Sequence, residues 1–121
     1  MSLQNKVVVI TGASAGIGLV TAKLLNKQGA RLALVSRSKE KLDKLSRELP
    51  HSLAVPTDMT NFLEIKKMIK KVQDYFGRID ILINNAGQGY DAPVEKINIG
   101  TFHYIFDLNL VGPLIAMQQV I

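Results

Sequence analysis

Short apolar runs alternate with longer amphipathic segments along this chain. The run 7–10 is Val-Val-Val-Ile and has no polar member, which is typical of a strand buried on both faces of a sheet. Between such runs, apolar residues recur at three- and four-residue spacing, which is typical of helices. Strands that alternate with helices predict a parallel sheet with helices on both faces. The strands are predicted at 6–11, 31–35, 52–56 and 79–83.

Capping and breaking residues set the predicted bounds of the first two helices. The first helix spans 16–27 and is followed by Gly29, which suits a helix C-terminus. Ser38 is placed to cap the second helix and Pro50 to end it. The apolar residues that we assign to the inner side of the first helix are Ile17, Val20, Ala22, Leu24 and Leu25.

The remaining helices follow the third and fourth strands. Thr60 or Asn61 caps the third helix, and a glycine at 77 ends it. A short helix from Val94 leads to a long one that runs from about Thr101 to the end of the chain. We expect this long helix to bend at Pro113, because proline cannot donate the backbone hydrogen bond that a helix interior requires.

A glycine pattern, Gly12-x-x-x-Gly16-x-Gly18, lies directly after the first apolar run and opens the first helix. Glycine allows a tight turn and lets the backbone approach a ligand without a Cβ in the way. The free N–H groups and the positive dipole end of the following helix favour an anion. The pattern therefore indicates a binding site for the pyrophosphate of a dinucleotide; the alternative is a purely structural turn between strand and helix.

Three further segments occur in order behind this pattern. Asp58 follows the third apolar run, the segment Asn84-Asn-Ala-Gly87 follows the fourth, and Asn109 lies in the long helix. Together, the four segments resemble the short-chain dehydrogenase/reductase family over the whole chain, which reaches about the first half of a typical member. The resemblance implies an α/β fold, a Rossmann-like doubly wound parallel sheet. Right-handed crossovers and the position of the phosphate loop predict the strand order 3-2-1-4.

The chain is expected to be one domain, residues 1–121, that is incomplete without later strands. The strand 79–83 would otherwise form a nearly all-apolar sheet edge, which is an aggregation hazard. Apolar residues of the long helix would also have little to pack on. We therefore expect the first part of a larger domain. These helix residues are Phe106, Leu110, Leu114 and Ile115.

The residues after the second strand bear on which cofactor is bound. Dinucleotide folds that bind NAD place an acidic residue there, and its charge repels a 2′-phosphate. This chain has Ser36 and Arg37 instead, and a guanidinium suits phosphate oxygens. We therefore expect NADP as the cofactor. The alternative is that Arg37 is a surface residue at the start of the second helix with no role in binding. NADP-preferring members of the family often carry a second basic residue in the glycine loop, where this chain has Ala15.

The resemblance also implies the other cofactor contacts. Ser14 and Ile17 match the loop at the pyrophosphate and nicotinamide ends, and Asp58 matches the residue that accepts from the adenine amino group, with Met59 beside it. A lone aspartate after a strand is otherwise often a turn former. Further implied contacts come from the glycine loop and from the segment that lies over the cofactor: Gly12, Gly16, Gly18, Asn84, Ala86 and Gly87.

Asn109 resembles the first member of the catalytic tetrad of the family, where it positions a water in a proton relay. Since Pro113 has no N–H, the carbonyl of Asn109 is left free for such a water. The alternative is a simple polar helix position. The family's serine and Tyr-x-x-x-Lys have no match here, because Ile79, Val94 and Leu108 stand four positions after the three tyrosines.

Two hypotheses follow from the presence of the cofactor-binding motifs and the lack of a match to the family's serine and Tyr-x-x-x-Lys. In the first, the chain is the cofactor half of an NADP-dependent enzyme that interconverts an alcohol and a carbonyl by hydride transfer, and these 121 residues alone are inactive. In the second, the chain is a nucleotide-binding or partner-binding module without catalysis. A small-molecule alcohol or carbonyl is the expected partner in the first case, with a homo-oligomer built through the long helix in the full-length protein.

Composition narrows the remaining classes. The chain has 121 residues, 47% of them hydrophobic, and no cysteine, which excludes disulfides and thiolate metal sites and fits a cytoplasmic protein. His51 and His103 stand alone, so we expect no metal. The net charge of +5 comes largely from amphipathic helices without interleaved aromatic residues, which argues against nucleic-acid binding. No apolar run approaches the roughly 18 residues that span a bilayer, so we expect no membrane association.

Overall fold

Strands and helices alternate along the chain, as the sequence predicted. The computed structural model describes residues 2–121. The strands and helices are β1 Val7–Thr11, α1 Gly16–Lys27, β2 Arg31–Ser36, α2 Lys39–Glu48, β3 Ser52–Pro56, α3 Phe62–Phe76, β4 Ile81–Ile83, α4 Ile99–Phe106 and α5 Gly112–Val120. A short 3₁₀ turn, Val94–Lys96, lies between β4 and α4, and a π-helical segment, Asp107–Val111, joins α4 to α5. The four strands form one parallel sheet in the predicted order β3-β2-β1-β4.

The two faces of the central strand belong to two separate cores. Val8 and Ile10 of β1 face the layer that contains α1 and α2. Val7 and Val9 face the opposite layer, which contains α3 and α5. All four side chains are at most 1% exposed, as the continuous apolar run predicted. The sheet is therefore covered on both faces, and its strand ends are left to form the site.

Strand β4 is two residues shorter than predicted because an aspartate takes over the start of its pairing. The backbone N–H of Asp80 donates to the carbonyl of Val7 at 2.9 Å. Its carboxylate accepts the N–H of Val7, also at 2.9 Å, and pairs with Arg78. The N–H of Val7 lowers the pKa of Asp80, with a smaller contribution from Arg78. A side chain thus replaces strand pairing at the amino end of β4.

The long helix differs from the prediction at its start and in the position of its irregularity. It begins at Ile99, because the side chain of Asn98 accepts the N–H of Thr101 and caps it. The disturbance falls on Asp107–Val111, where the N–H of Gly112 donates to the carbonyl of Asp107, five residues back. The irregular segment thus ends two residues before Pro113, whose missing N–H cannot donate to the carbonyl of Asn109 within that segment, and a bend of the helix axis at Pro113 stays a prediction.

The inner side predicted for α1 is only partly correct. Ala22 is fully buried, and Leu25 packs against the core of the α1/α2 layer. Three of the five predicted residues instead face outward: Ile17 is 78% exposed, Val20 66% and Leu24 55%. Their spacing is helical, so the periodicity identified a real apolar stripe but assigned it to the wrong surface.

The continuous helical run Ile99–Val120 has 22 residues and a mean hydropathy of 1.2 over an 18-residue window. By length and composition alone it could cross a membrane, although helices of soluble proteins pass the same test. The run is interrupted by Asp107 and Asn109 in its π-helical segment, and Ala116 is buried against the α3 side of the sheet. These features weaken the membrane interpretation.

Candidate functional site

A cleft of about 300 Å³ lies at the carboxyl ends of the strands. This edge of a parallel sheet is where ligands bind in open α/β folds. Seven of the residues singled out from the sequence line it: Gly12, Ser14, Ser36, Arg37, Met59, Ala86 and Gly87. Gln88 also lines it, and the sequence had indicated this residue, with Gly89 and Tyr90, at the near side of the pocket. Four lining residues were not identified as such from the sequence: Ser38, Thr57, Tyr104 and Leu108.

The glycines between β1 and α1 serve different purposes. Gly12 has φ +68°, and a Cβ there would lie 2.8 Å from Nδ2 of Asn85. Gly18 has no positive φ, but a Cβ on it would collide with the carbonyl oxygen of Gly12 and with Nδ2 of Asn85. Gly16 has φ +56° with open space around it. Two glycines thus permit close packing, and Gly16 leaves space at the start of the helix.

The amino end of α1 has no side-chain cap. Its N-cap residue, Ala15, is extended and offers no acceptor, and the first turn contains no acidic residue. By contrast, Asn61 caps α3 by accepting the N–H of Glu64 at 3.1 Å. Since the first turn of a helix lacks internal acceptors, the N–H groups of α1 remain available to an anion. This arrangement fits the pyrophosphate of a dinucleotide.

A buried threonine fixes the turn after β4 against the turn after β1. Thr11 Oγ1 accepts the N–H of Asn85 at 3.0 Å and that of Ala86 at 2.9 Å. Nδ2 of Asn85 in turn donates to the carbonyl of Gly12 at 3.2 Å. The bracing amide is therefore Asn85, whereas Asn84 is exposed and does not line the cleft. From the sequence, Asn85 could not be distinguished from Asn84 in the segment 84–87, and Thr11 was assigned only to the first strand.

The end of β2 presents a polar surface to the cleft. Oγ of Ser36 accepts the N–H of Ser38 at 3.2 Å, which leaves its hydroxyl proton free to donate. Arg37 is exposed and lines the cleft. Ser38 occupies the N-cap position of α2 but makes no capping hydrogen bond with its side chain, contrary to the prediction. This side of the cleft is therefore lined by the Arg37 guanidinium and by the hydroxyls of Ser36 and Ser38, at the start of α2, which also lacks a side-chain cap.

Asp58 forms a turn with its own neighbour. Its Oδ1 accepts the N–H of Thr60 at 2.9 Å and the Thr60 hydroxyl at 2.7 Å. These two hydrogen bonds hold the pKa of Asp58 below its ordinary value, and the charge of Arg37 adds to the effect. Asp58 is thus anionic at neutral pH and serves as a turn former, but it does not line the cleft.

Asn109 fastens the loop after β4 to the long helix. Its Oδ1 accepts the N–H of Gln88 at 2.9 Å, and its Nδ2 donates to the carbonyl of Gln88 at 2.7 Å. A Cβ on Gly87 would lie 3.1 Å from the same Oδ1. Asn109 lies in the π-helical segment, a form that is often found at functional sites. Its side chain therefore positions the wall of the cleft, although it does not line the cleft itself.

Gly16, Ile17 and Gly18 also lie outside the cleft lining. They form the first turn of α1, so their backbone N–H groups, rather than their side chains, are what they offer to a ligand. The missed lining residues carry weak sequence signals. Thr57 and Ser38 adjoin strand and helix ends, while Tyr104 and Leu108 lie on a helix whose orientation no local pattern fixes.

No group of three His, Asp or Glu residues within 2–121 is arranged to hold a metal ion. The cleft instead provides N–H donors, hydroxyls and one guanidinium. Donors of this kind bind phosphate oxygens and sugar hydroxyls rather than cations. The groups that line the cleft therefore suit a ligand that carries phosphate and sugar hydroxyls.

Comparison with known proteins agrees with this geometry. The family model for "short chain dehydrogenase" matches residues 6–121. The chain belongs to this family. An uncharacterized oxidoreductase of Staphylococcus aureus (strain MW2) is 37% identical over 121 residues, which are 98% of this chain and 52% of that protein. The chain thus spans about half the length of the relatives that it matches.

Solved structures of the family have the same fold. A metagenomic short-chain oxidoreductase in complex with NADP is 31% identical, with a TM-score of 0.93 over 98% of this chain and 56% of its own. The 3-ketoacyl-(acyl-carrier-protein) reductase of Brucella melitensis, complexed with NADH, is 32% identical, with a TM-score of 0.94 over 99% of this chain and 50% of its own. Members of similar likeness have thus been crystallised with either cofactor.

Proposed function

We propose that residues 1–121 are the cofactor-binding part of a single-domain, NADP(H)-dependent oxidoreductase that interconverts an alcohol and a carbonyl. The bound nicotinamide would supply the hydride chemistry. The chain's own residues bind and orient the dinucleotide. Those that we assign to this role are Gly12, Ser14, Gly16, Ile17, Gly18, Ser36, Arg37, Asp58, Met59, Asn84, Ala86 and Gly87.

The observation that carries the NADP assignment is the pair Ser36 and Arg37 at the end of β2, both lining the cleft. In dinucleotide folds this position faces the ribose 2′ oxygen, and an acidic residue there would repel a phosphate. Ser36 removes that repulsion, and the exposed Arg37 guanidinium supplies a fork of donors. Charge-assisted hydrogen bonds contribute roughly 1.5–3 kcal/mol each.

Asn109 has a positioning role in this proposal. Its side-chain amide holds the backbone of Gln88, and its main-chain carbonyl, which Pro113 cannot engage, is available to a relay water. The proton donor would come from residues beyond these, since none of the three tyrosines is followed by lysine four positions on. We therefore expect no turnover from the 121 residues alone.

The proposed partner is a small-molecule alcohol or carbonyl, bound in the cytoplasm. We do not expect a nucleic acid or a membrane to be bound. A homo-oligomer through the long helix is the proposed assembly of the full-length protein. The exposed apolar side chains of this helix, which would be covered in that assembly, include Phe102, Phe106, Leu110 and Leu114.

Binding of NADP⁺ and NAD⁺ by calorimetry tests the cofactor assignment. We expect the wild-type protein to prefer NADP⁺, and Arg37→Gln to weaken NADP⁺ binding by about 10- to 100-fold without affecting NAD⁺. Arg31→Gln is the matched control, because Arg31 is exposed at the opposite end of the same strand. Equal affinities of the wild-type protein for both nucleotides would contradict the proposal.

A binding module without catalysis is the second candidate. It is favoured by the absence of a lysine four positions after any of the three tyrosines of this chain. It predicts nucleotide binding without oxidation or reduction of any alcohol or carbonyl. An activity assay on the full-length protein separates the enzyme from the binding module. It follows the loss of NADPH absorbance with a panel of aldehydes and ketones at a fixed protein concentration. Turnover by the whole protein excludes the module.

A further inference from the structure

A second groove, of about 230 Å³, lies beside the nucleotide cleft. It runs between α1 and α2, and Ser14 lines both this groove and the cleft. Leu19 and Leu45 form its apolar part. The charged residues along it are Lys23 on α1 and Lys41, Lys44 and Glu48 on α2, so positive charge prevails. We refer to this feature as the lysine groove.

The lysines of this groove form no close ion pair with a carboxylate in the part of the chain that the structure describes, although Glu48 also lines the groove. Within residues 2–121, no carboxylate lies within ion-pairing distance of Lys23, Lys41 or Lys44. Other helix lysines do find such partners, since Lys39 pairs with Asp43 at 2.7 Å. With three lysines and one glutamate along it, the groove keeps a net positive charge, which favours the binding of an anion.

The position of the lysine groove relative to Arg37 indicates which anion it would bind. The ribose 2′ oxygen of a dinucleotide lies at the residues that follow the second strand, here Ser36 and Arg37. Ser14, on the neighbouring turn, connects this part of the cleft to the lysine groove. Lys41 lies in the first turn of α2, the turn closest to Arg37 in the chain. A phosphate monoester on the 2′ oxygen would therefore have Arg37 on one side and the groove on the other.

We propose that the lysine groove, chiefly through Lys41 and Lys44, binds the 2′-phosphate of NADP(H) and thereby determines cofactor choice together with Arg37. The inference rests on the proposed function. It also accounts for the absence of a basic residue from the glycine loop, where this chain has Ala15. In this proposal, lysines of α2 supply the second positive charge instead. Lysine acts here as a mobile point charge, whereas Arg37 supplies directed donors.

The test compares the double variant Lys41→Gln/Lys44→Gln with the wild-type protein by calorimetric titration of NADP⁺ and NAD⁺. Glutamine has nearly the helix propensity of lysine, and both side chains are exposed, so the fold is retained. We expect NADP⁺ binding to weaken about tenfold and NAD⁺ binding to stay unchanged. Raising the salt concentration should narrow the wild-type preference for NADP⁺, because exposed charges are screened.

The matched control is Lys66→Gln/Lys67→Gln on α3, which removes the same charge from exposed positions of the opposite layer. Both nucleotides should bind this variant as they bind the wild-type protein. The inference is overturned if the groove variant keeps its NADP⁺ affinity, if NAD⁺ weakens equally, or if the α3 control weakens NADP⁺ as much. If the wild-type protein itself fails to prefer NADP⁺, the proposed function fails first.

A free phosphate ion has the same chemistry as the 2′-phosphate, so the two sources need separate titrations. With 2′,5′-ADP, 5′-AMP and inorganic phosphate as probes, we expect 2′,5′-ADP to bind more tightly than 5′-AMP, by a factor about tenfold larger in the wild-type protein than in the groove variant, which keeps Arg37. If inorganic phosphate alone raises the melting temperature through Lys41 and Lys44 while 2′,5′-ADP gains nothing over 5′-AMP, the groove binds a free anion and the inference is wrong.

Discussion

The turn between β1 and α1 and the turn between β3 and α3 lie on the same edge of the same sheet, yet they treat their hydrogen-bond donors in opposite ways. The first contains glycines and Ala15 and leaves the helix start uncapped. In the second, Asp58 accepts twice from Thr60, and Asn61 caps α3. The second turn satisfies much of its own hydrogen bonding, whereas the first leaves the N–H groups of its helix start without side-chain acceptors. The same strand–turn–helix topology thus gives a turn that is closed by its own side chains in one place and open donors in the other.

Among substitutions in these two turns, we expect Gly18→Ala at the open turn to cause the largest loss of stability and of nucleotide affinity. The added methyl group would collide with the carbonyl oxygen of Gly12 and with Nδ2 of Asn85, so α1 must move away from the sheet. Overpacking of this kind costs typically 1–3 kcal/mol, and the displaced helix start should also lose nucleotide affinity. Urea denaturation and NADP⁺ titration measure the two losses.

Gly16→Ala is the control for that prediction. A Cβ at Gly16 meets nothing within 4 Å, but φ is +56°, so the substitution adds only backbone strain. This left-handed conformation costs roughly 1–2 kcal/mol for a residue with a side chain. If Gly18→Ala is no more harmful than Gly16→Ala, close packing is not the reason for the glycine at 18.

The second prediction gives the open turn the cap that it lacks. Ala15 has the extended conformation of an N-cap residue, with φ −157° and ψ 165°, so Ala15→Asp should accept an N–H of the first turn. We expect the free energy of unfolding to rise by about 0.5–2 kcal/mol. NADP⁺ binding should weaken by about tenfold, because the new carboxylate occupies the donors and repels the pyrophosphate.

The variant Ala15→Ser separates these two causes. Serine caps without a charge, so it should stabilise the protein and weaken NADP⁺ binding less than aspartate does. Thermal melts and calorimetry on both variants provide the comparison. Unchanged NADP⁺ affinity in both would mean that the amino end of α1 does not face the pyrophosphate.

The smallest expected effect concerns the closed turn and its dependence on pH. The Thr60 hydrogen bonds lower the pKa of Asp58 in the folded protein, so protonation favours the unfolded chain. The stabilisation is present above the unfolded pKa of about 4 and is lost as pH falls through the lower folded-state value. Asp58→Asn should therefore melt below the wild type at pH 7 and approach it as the pH falls below about 4.

Asn61→Ala is the control within the same turn. It removes the neutral cap of α3, which typically contributes about 1 kcal/mol, and neither the Asn61 amide nor the backbone N–H of Glu64 titrates in this pH range. Its deficit in melting temperature should therefore be the same across the pH series. A deficit in Asp58→Asn that is equally independent of pH would show that the charge of Asp58 plays no part in the turn. Both series are measured without nucleotide.

Local patterns were sufficient for most of the fold. The apolar runs located all four strands, and the glycine turn together with right-handed crossovers predicted the order β3-β2-β1-β4. The helix bounds of α1 agree with the prediction, because glycine turns at both ends limit it. Asn61, one of two predicted caps, does cap α3. These features depend on interactions within a few residues, which the sequence displays directly.

The errors concern features that distant contacts decide. The periodicity of α1 revealed an apolar stripe, but only the packed structure places Val20 and Leu24 outside the core. Pro113 indicated a disturbed helix but not the π-helical form of the disturbance at Asp107–Val111, after which a Cβ on Gly112 would collide with the carbonyl oxygen of Met59. Likewise, Asn84 and Asn85 look equivalent in sequence, and only the approach of Gly12 distinguishes them.

The two hydrogen bonds between Asn109 and Gln88 make the long helix and the loop over the cleft a single mechanical unit. The outer surface of that helix is apolar, with Phe106 48% exposed and Leu110 55% exposed. One helix therefore carries both the side chain that holds the wall of the cleft and an exposed apolar surface on the outside of the molecule.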